Sequence, residues 1–135
     1  MKLSSSRVGA IGEQLVAIDL LSRDLACYTP ICDDKGVDLI TDYEGTYYSI
    51  QVKVSNRKYS RKGITYCSIP IDVSPTNADI IAVPWKGEVI YFFNKQKNHR
   101  YGFHIQVETP KNNQWNNHID DYKSFPPTIK KGSST

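Results

Sequence analysis

A chain of 135 residues, 39% hydrophobic and 23% charged, suits one domain with one core and excludes a disordered polymer. No apolar run approaches the ~20 residues that span a bilayer, and Met1 to Arg7 lacks the apolar stretch of a secretory leader, so a cytoplasmic protein without a membrane partner is expected. Net charge is +3, and the 3 cysteines, Cys27, Cys32 and Cys67, lack zinc-knuckle spacing; they read as free thiols rather than as a zinc site shared with His99, His104 and His118.

The first element is a helix from about Arg7 to Asp24. Ser4, Ser5 and Ser6 offer caps, and Val8, Ile11, Leu15 and Ile18 recur at helical spacing to make an apolar face, which Leu20, Leu21 and Leu25 widen. Glu13 stands at the edge of that surface, where a helix-start carboxylate is also explained by the macrodipole alone. Ala26 to Ile31 follows as a short strand broken at Pro30, and Asp33 to Gly36 make a turn. Val37 to Thr41 is a second strand, Asp42-Tyr43-Glu44-Gly45 has hairpin chemistry, and Thr46 to Val54 is a third strand. Residues 56 to 63 read as a basic loop, Ile64 to Ile71 as a strand and Asp72 to Asn77 as a turn. Ala78 to Pro84 and Glu88 to Phe93 form a hairpin about Lys86-Gly87, and Asp79-Ile80-Ile81-Ala82-Val83 has the apolar density of a central strand. Beyond Asn94 the pattern weakens: Tyr101 to Val107 is a strand, Asn112 to Tyr122 a short helix and Phe125 to Thr135 a loose end. The order describes an α/β sandwich, a central mixed sheet with the N-terminal helix packed against it, as a single domain over residues 1–135 with its core at about 7–93 and a C-terminal extension at 94–135.

Chemistry concentrates on the second and third strands. Ile50, Val52 and Val54 alternate with Ser49, Gln51, Lys53 and Ser55, so an amide and an ammonium share one face, and Asp38 can stand beside them. A carboxylate, a second oxygen ligand and a lysine on adjacent strands are the parts of a metal-dependent phosphodiesterase site. Lys53 also opens a run, with Arg57, Lys58, Arg61 and Lys62, that contains no acid. Such a run is often plain solvated surface, but this one begins at the candidate lysine and would draw phosphates toward it. Asp33, Asp34 and Asp42 are explained as turn residues, while Asp79 divides evenly between a strand-edge cap and a support near the site.

Gly12-Glu13 on the helix, Gly36-x-Asp38, Gln51-x-Lys53 and the later Asn77 to Val83 strand, in this order over residues 9 to 93, resemble the PD-(D/E)XK nuclease superfamily. The run Tyr48-Ser49-Ile50-Gln51-Val52-Lys53 is similar to a subgroup of small single-domain endonucleases with a QVK variant of the motif, akin to resolvase-like and intron-encoded homing enzymes. The resemblance implies a restriction-endonuclease-like fold and Mg²⁺, or Mn²⁺ in its place, held by Asp38, Gln51, the Val52 carbonyl and, directly or through water, Glu13. It also implies that Lys53 holds the attacking water and offsets charge developing on the phosphate. Gln51 departs from the usual glutamate: two unit charges roughly 4 Å apart at a dielectric near 20 interact by about 4 kcal/mol, an upper guide to what the missing carboxylate would add. Glu13 then matters more, as the second negative charge.

A metal-dependent DNA endonuclease is therefore expected, site-specific (homing or restriction type) or junction-resolving, acting on double-stranded or branched DNA as a homodimer or homotetramer, since one small domain holds one site. Ser55, Arg57, Lys58, Arg61 and Lys62 would contact DNA, and the amide-rich residues 94–135 would contact DNA or make oligomers. Two alternatives stand beside it: a nucleic-acid-binding module on the same fold whose catalysis is weakened or lost, and an oligomeric scaffold using its sheet edge.

Overall fold

In the computed structural model, which describes residues 3–32, 36–54, 60–61, 64–65, 68–106 and 123–127, helix α1 (Ser5–Ser22) starts where the serines are. Ser4 is the N-cap, its hydroxyl accepting from the Arg7 N–H at 3.3 Å. The helix stops two residues before the expected end because Asp24 turns to φ 63. The Asp24 N–H then reaches the Leu21 carbonyl at 3.0 Å and the Leu25 N–H the Leu20 carbonyl at 3.1 Å, a left-handed cap made without glycine.

The strands follow in chain order as β1 (Ala26–Tyr28), β2 (Leu39–Tyr43), β3 (Thr46–Val52), β4 (Ser60–Arg61), β5 (Ile64–Thr65), β6 (Ser68–Val73), β7 (Ile80–Trp85), β8 (Glu88–Phe93) and β9 (Tyr101–Gln106). Five of them make a mixed sheet in the order β1-β2-β3-β7-β8, with β3 and β7 the parallel pair and the other neighbours antiparallel. Glu44 and Gly45 (φ 50 and 85) and Lys86 and Gly87 (φ 48 and 79) turn the two hairpins, and the Asp42 carboxylate accepts the Gly45 N–H at 3.0 Å, which settles Asp42 as a turn residue. The strand expected over Ile64 to Ile71 is two: β5 pairs with β4 inside the expected basic loop, and β6 pairs with β9 in a separate ribbon. The expected 112–122 helix, Asp33, Asp34, Cys67 and His118 lie outside the described residues. Cys27 and Cys32 are free thiols. No helix among the described residues is long and apolar enough to cross a membrane.

Two cores flank the sheet. On one face Val16 and Leu20 of α1 pack on Leu39, Ile50, Ile80 and Ala82; on the other, Ile81, Val83, Ile90 and Phe92 are covered by Ile71 and Val73 of β6 with Tyr101 and Phe103 of β9. β7 is therefore buried on both faces, which is why its sequence is apolar without alternation. Two expectations need correction. The helix face that packs on the sheet carries Gly12, Val16 and Leu20, whereas Ile11, Leu15 and Ile18 of the expected face are exposed. Phe125 is no loose end: it is buried, with Tyr43, Tyr48 and Tyr91 ranged edge-on around it at 6.2, 5.8 and 5.0 Å.

Candidate active site

The register of β2 on β3 decides which candidate residues can meet. Leu39 pairs with Ile50, and both belong to the core beneath α1. The next residue, Gln51, pairs with Ile81 of the second core and so lies on the face turned away from the helix. Lys53, two residues along the same strand direction, falls on that face as well.

Asp38 stands where β2 stops following β3. Its N–H still donates to the Ile50 carbonyl at 2.8 Å, but the next donor along β3, the Val52 N–H, is met by the Asp38 carboxylate at 2.7 Å. The N–H and C=O of one strand residue point to the same side, so the Val52 carbonyl is directed to the same edge as that carboxylate. On the other side of β3 the Lys53 N–H donates to the Ala82 carbonyl at 2.9 Å, anchoring the lysine backbone to β7.

Gln51 is held from above. Gly36 takes φ 76, and a Cβ there would lie 2.9 Å from Gln51 Nε2 and 2.8 Å from Thr76 Oγ1, so the chain crosses the amide where only glycine fits. Thr76, 1% exposed, donates to the Gly36 carbonyl at 3.3 Å and accepts the Ala78 N–H at 3.1 Å. The buried Asn94 amide in turn donates to the carbonyls of Thr76 (3.2 Å) and Ala78 (2.9 Å) and accepts from the Tyr101 hydroxyl at 2.8 Å. Gln51 Oε1 is fully buried and meets no hydrogen-bond donor among the described residues. An acceptor left in that state costs about 1–3 kcal/mol.

Glu13 approaches from the helix side. It is half-buried and follows Gly12, whose absent Cβ would fall 2.3 Å from Val54 Cγ2 and 3.5 Å from Val52 Cγ1. The α1 backbone thus lies against the end of β3, while Gln51 and Lys53 are turned to the opposite face. Among the described residues no three His, Cys, Asp or Glu side chains come together. Of the basic run beyond Lys53, only the Arg61 backbone, in β4, is described; Ser55, Arg57, Lys58 and Lys62 lie outside the described residues.

Asp79 takes neither of the roles expected in full. Its carboxylate accepts the Ser49 N–H (3.0 Å) and hydroxyl (3.1 Å) and pairs with Lys97 at 2.5 Å, while its own N–H donates to the Ser49 carbonyl at 2.9 Å. It is a clasp between β3 and β7. Partial burial alone would raise its pKa, but the Lys97 hydrogen bond and charge with the Ser49 donors outweigh that and hold the carboxyl below its ordinary range. Thr76 and Asn94 were not singled out from sequence; a buried threonine and asparagine in loops flanking apolar strands carry no distinctive local pattern.

Comparison with known proteins agrees with this architecture. A solved bacterial homing endonuclease, I-Ssp6803I, superposes with a TM-score of 0.66 at 23% identity, over 90% of this chain and 88% of that one. None of the curated proteins matches the chain. The family model for PD-(D/E)XK endonucleases matches residues 3–125. With that span matched and the fold shared, the chain belongs to the PD-(D/E)XK endonuclease family.

Proposed function

We propose that the protein is a divalent-metal-dependent endonuclease that hydrolyses phosphodiester bonds at specific sites in double-stranded DNA. The observation that carries this reading is the Asp38 carboxylate held on the Val52 N–H at the end of β3, next in sequence to Gln51, whose side-chain oxygen is buried without a donor among the described residues. A hard cation with oxygen ligands fits that donor set: Asp38, Gln51 Oε1 and the Val52 carbonyl would hold it, and Glu13 would complete the set through water from the helix side. Bound there, Mg²⁺ or Mn²⁺ would supply charge neutralisation for the phosphate and the alkoxide leaving group.

The chain's own residues do the rest. Asp38 is kept in place at the end of β3 by the Val52 N–H. The Gly36 backbone passes over the Gln51 amide too closely for a Cβ to fit between them, and Thr76 holds Gly36 there. Lys53 places an ammonium on the same face, suited to hold a water for attack and to donate to the phosphate oxygen that gains charge. The run through Arg57, Lys58, Arg61 and Lys62, with Ser55, continues from Lys53 and would follow the DNA backbone. Similarity to a homing enzyme favours sequence-specific cutting over junction resolution. Two copies, as a dimer or within a tetramer, would cut the two strands.

Cleavage of supercoiled plasmid, linear DNA and four-way junctions in Mg²⁺ or Mn²⁺ tests this. Metal-dependent cutting should fall at least a hundredfold in Asp38→Ala and Lys53→Ala; undiminished cutting by either variant, or none by the wild type, counts against it. The neutral residue at position 51 supports a second reading, a DNA-binding module with little catalysis. That reading expects salt-sensitive binding that persists in EDTA and no gain from Gln51→Glu.

A further inference from the structure

Thr76, in the loop from β6 to β7, and Asn94, just past β8, are buried polar residues that do no chemistry in the proposed hydrolysis. Burying such groups is unfavourable unless their donors and acceptors are met, and here they are. Asn94 Nδ2 donates to the carbonyls of Thr76 and Ala78, while Asn94 Oδ1 accepts the Gln96 N–H at 3.3 Å and the Tyr101 hydroxyl at 2.8 Å. Turned over, the amide would set its oxygen against two carbonyls and its NH2 against the Gln96 N–H, so these partners fix its orientation. The Thr76 carbonyl takes a second donor, the Asn98 N–H at 2.9 Å. Tyr101 opens β9 opposite Val73, its ring stacked on Phe103 at 6.0 Å between centroids and packed on the second core.

The turn so pinned reaches the candidate site. The Thr76 hydroxyl leaves its own loop to donate to the Gly36 carbonyl at 3.3 Å. The point where a Gly36 Cβ would stand lies 2.8 Å from Thr76 Oγ1 and 2.9 Å from Gln51 Nε2. Gly36 also stands two residues ahead of Asp38, whose carboxylate meets the Val52 N–H. Where Gly36 lies therefore bears on both candidate ligands. We propose that Thr76, Asn94 and Tyr101 are positioning residues for that site. The Tyr101 hydroxyl orients the Asn94 amide, the amide holds the turn from Thr76 to Ala78, and the Thr76 hydroxyl sets Gly36 over Gln51. That Gln51 and Asp38 hold a cation rests on the nuclease reading; the hydrogen-bond relay does not.

Two measurements without DNA test this: Mn²⁺ binding, followed by electron paramagnetic resonance of the free ion, and the side-chain amide NMR signals of Gln51, identified by their loss in Gln51→Glu. Thr76→Val keeps the shape and removes the hydroxyl, Thr76→Ser keeps the hydroxyl, and Tyr101→Phe keeps the ring on Phe103 and removes the proton. Thr41→Val is the comparison, deleting a buried hydroxyl that donates to the Ala26 carbonyl at 2.7 Å, between β2 and β1. Thr76→Val should weaken Mn²⁺ binding about tenfold, the loss typical of groups that orient a metal ligand. Tyr101→Phe should weaken it by a smaller factor, and both should move the Gln51 signals. Thr76→Ser and Thr41→Val should do neither, although Thr41→Val melts lower than the wild type. Equal weakening in Thr41→Val overturns the assignment, as do wild-type affinity and unmoved Gln51 signals in Thr76→Val or Tyr101→Phe. Should Thr76→Val fail to fold, Tyr101→Phe decides alone. A wild type that binds no Mn²⁺ and cuts no DNA sinks the nuclease reading, and the Gln51 signals then decide the relay by themselves.

Discussion

At the scale of single residues, one glycine sets the surroundings of Gln51. Gly36 combines a left-handed backbone with contacts that leave no room for a methyl group above Gln51. Gly36→Ala should destabilise the fold by about 1–2 kcal/mol in denaturant titration, and cleavage should fall by far more than that loss explains, because Gln51 must move. Gln51→Glu should lower the Mg²⁺ concentration needed for half-maximal cutting, since it restores a charge where the oxygen is buried without a donor. Asp79 makes a different prediction. Its folded pKa lies below the unfolded one, so its contribution to stability is present above the ordinary aspartate pKa and is lost as pH falls through the depressed folded value. Melting temperatures measured between pH 7 and pH 3 should converge at the acid end for wild type and Asp79→Asn, with the wild type higher near neutrality. The placing of Gln51 on the face away from α1 was legible in the sequence because alternation on a strand reports sidedness directly. Thr76 and Asn94 were not, since their role arises from loops that meet only after the sheet has formed.

At the scale of elements, α1 shows where pattern reading stops. The a/d repeat of Ile11, Leu15 and Ile18 is the stronger apolar signal, yet the sheet takes the face with Gly12, Val16 and Leu20. Close approach explains the choice: Gly12 lets the helix backbone come down on Val52 and Val54, and no larger residue could. Helix-interior Gly→Ala substitutions ordinarily stabilise by up to about 1 kcal/mol. Gly9→Ala, where a methyl would meet nothing within 4 Å, should follow that rule. Gly12→Ala should reverse the sign and cost roughly 1–3 kcal/mol in chemical denaturation, and Val54→Ala in the same chain should recover much of the loss. The expected continuous strand over Ile64 to Ile71 failed for a related reason: apolar residues do not reveal which of two sheets they join.

At the scale of the whole molecule, three layers share two cores, and residues far apart in the chain close them. Phe125 fills the space between Tyr43, Tyr48 and Tyr91 beneath the helix layer, and the Tyr91 hydroxyl donates to Asp19 of α1 at 2.6 Å. Phe125→Ala should therefore cost about 3–5 kcal/mol, read as a fall in denaturation midpoint, although sequence alone left that residue outside any element. The mixed sheet with its helix, by contrast, follows from turn chemistry and periodicity in the first 93 residues, where each local preference agrees with the final packing. The parallel union of β3 with β7 has one more outcome. Asp38 and Lys53 are synthesised early, but Thr76, Asn94 and the β7 carbonyl that anchors Lys53 come some tens of residues later. A nascent chain leaving the ribosome thus carries these candidate side chains unassembled until the segment through Asn94 has emerged.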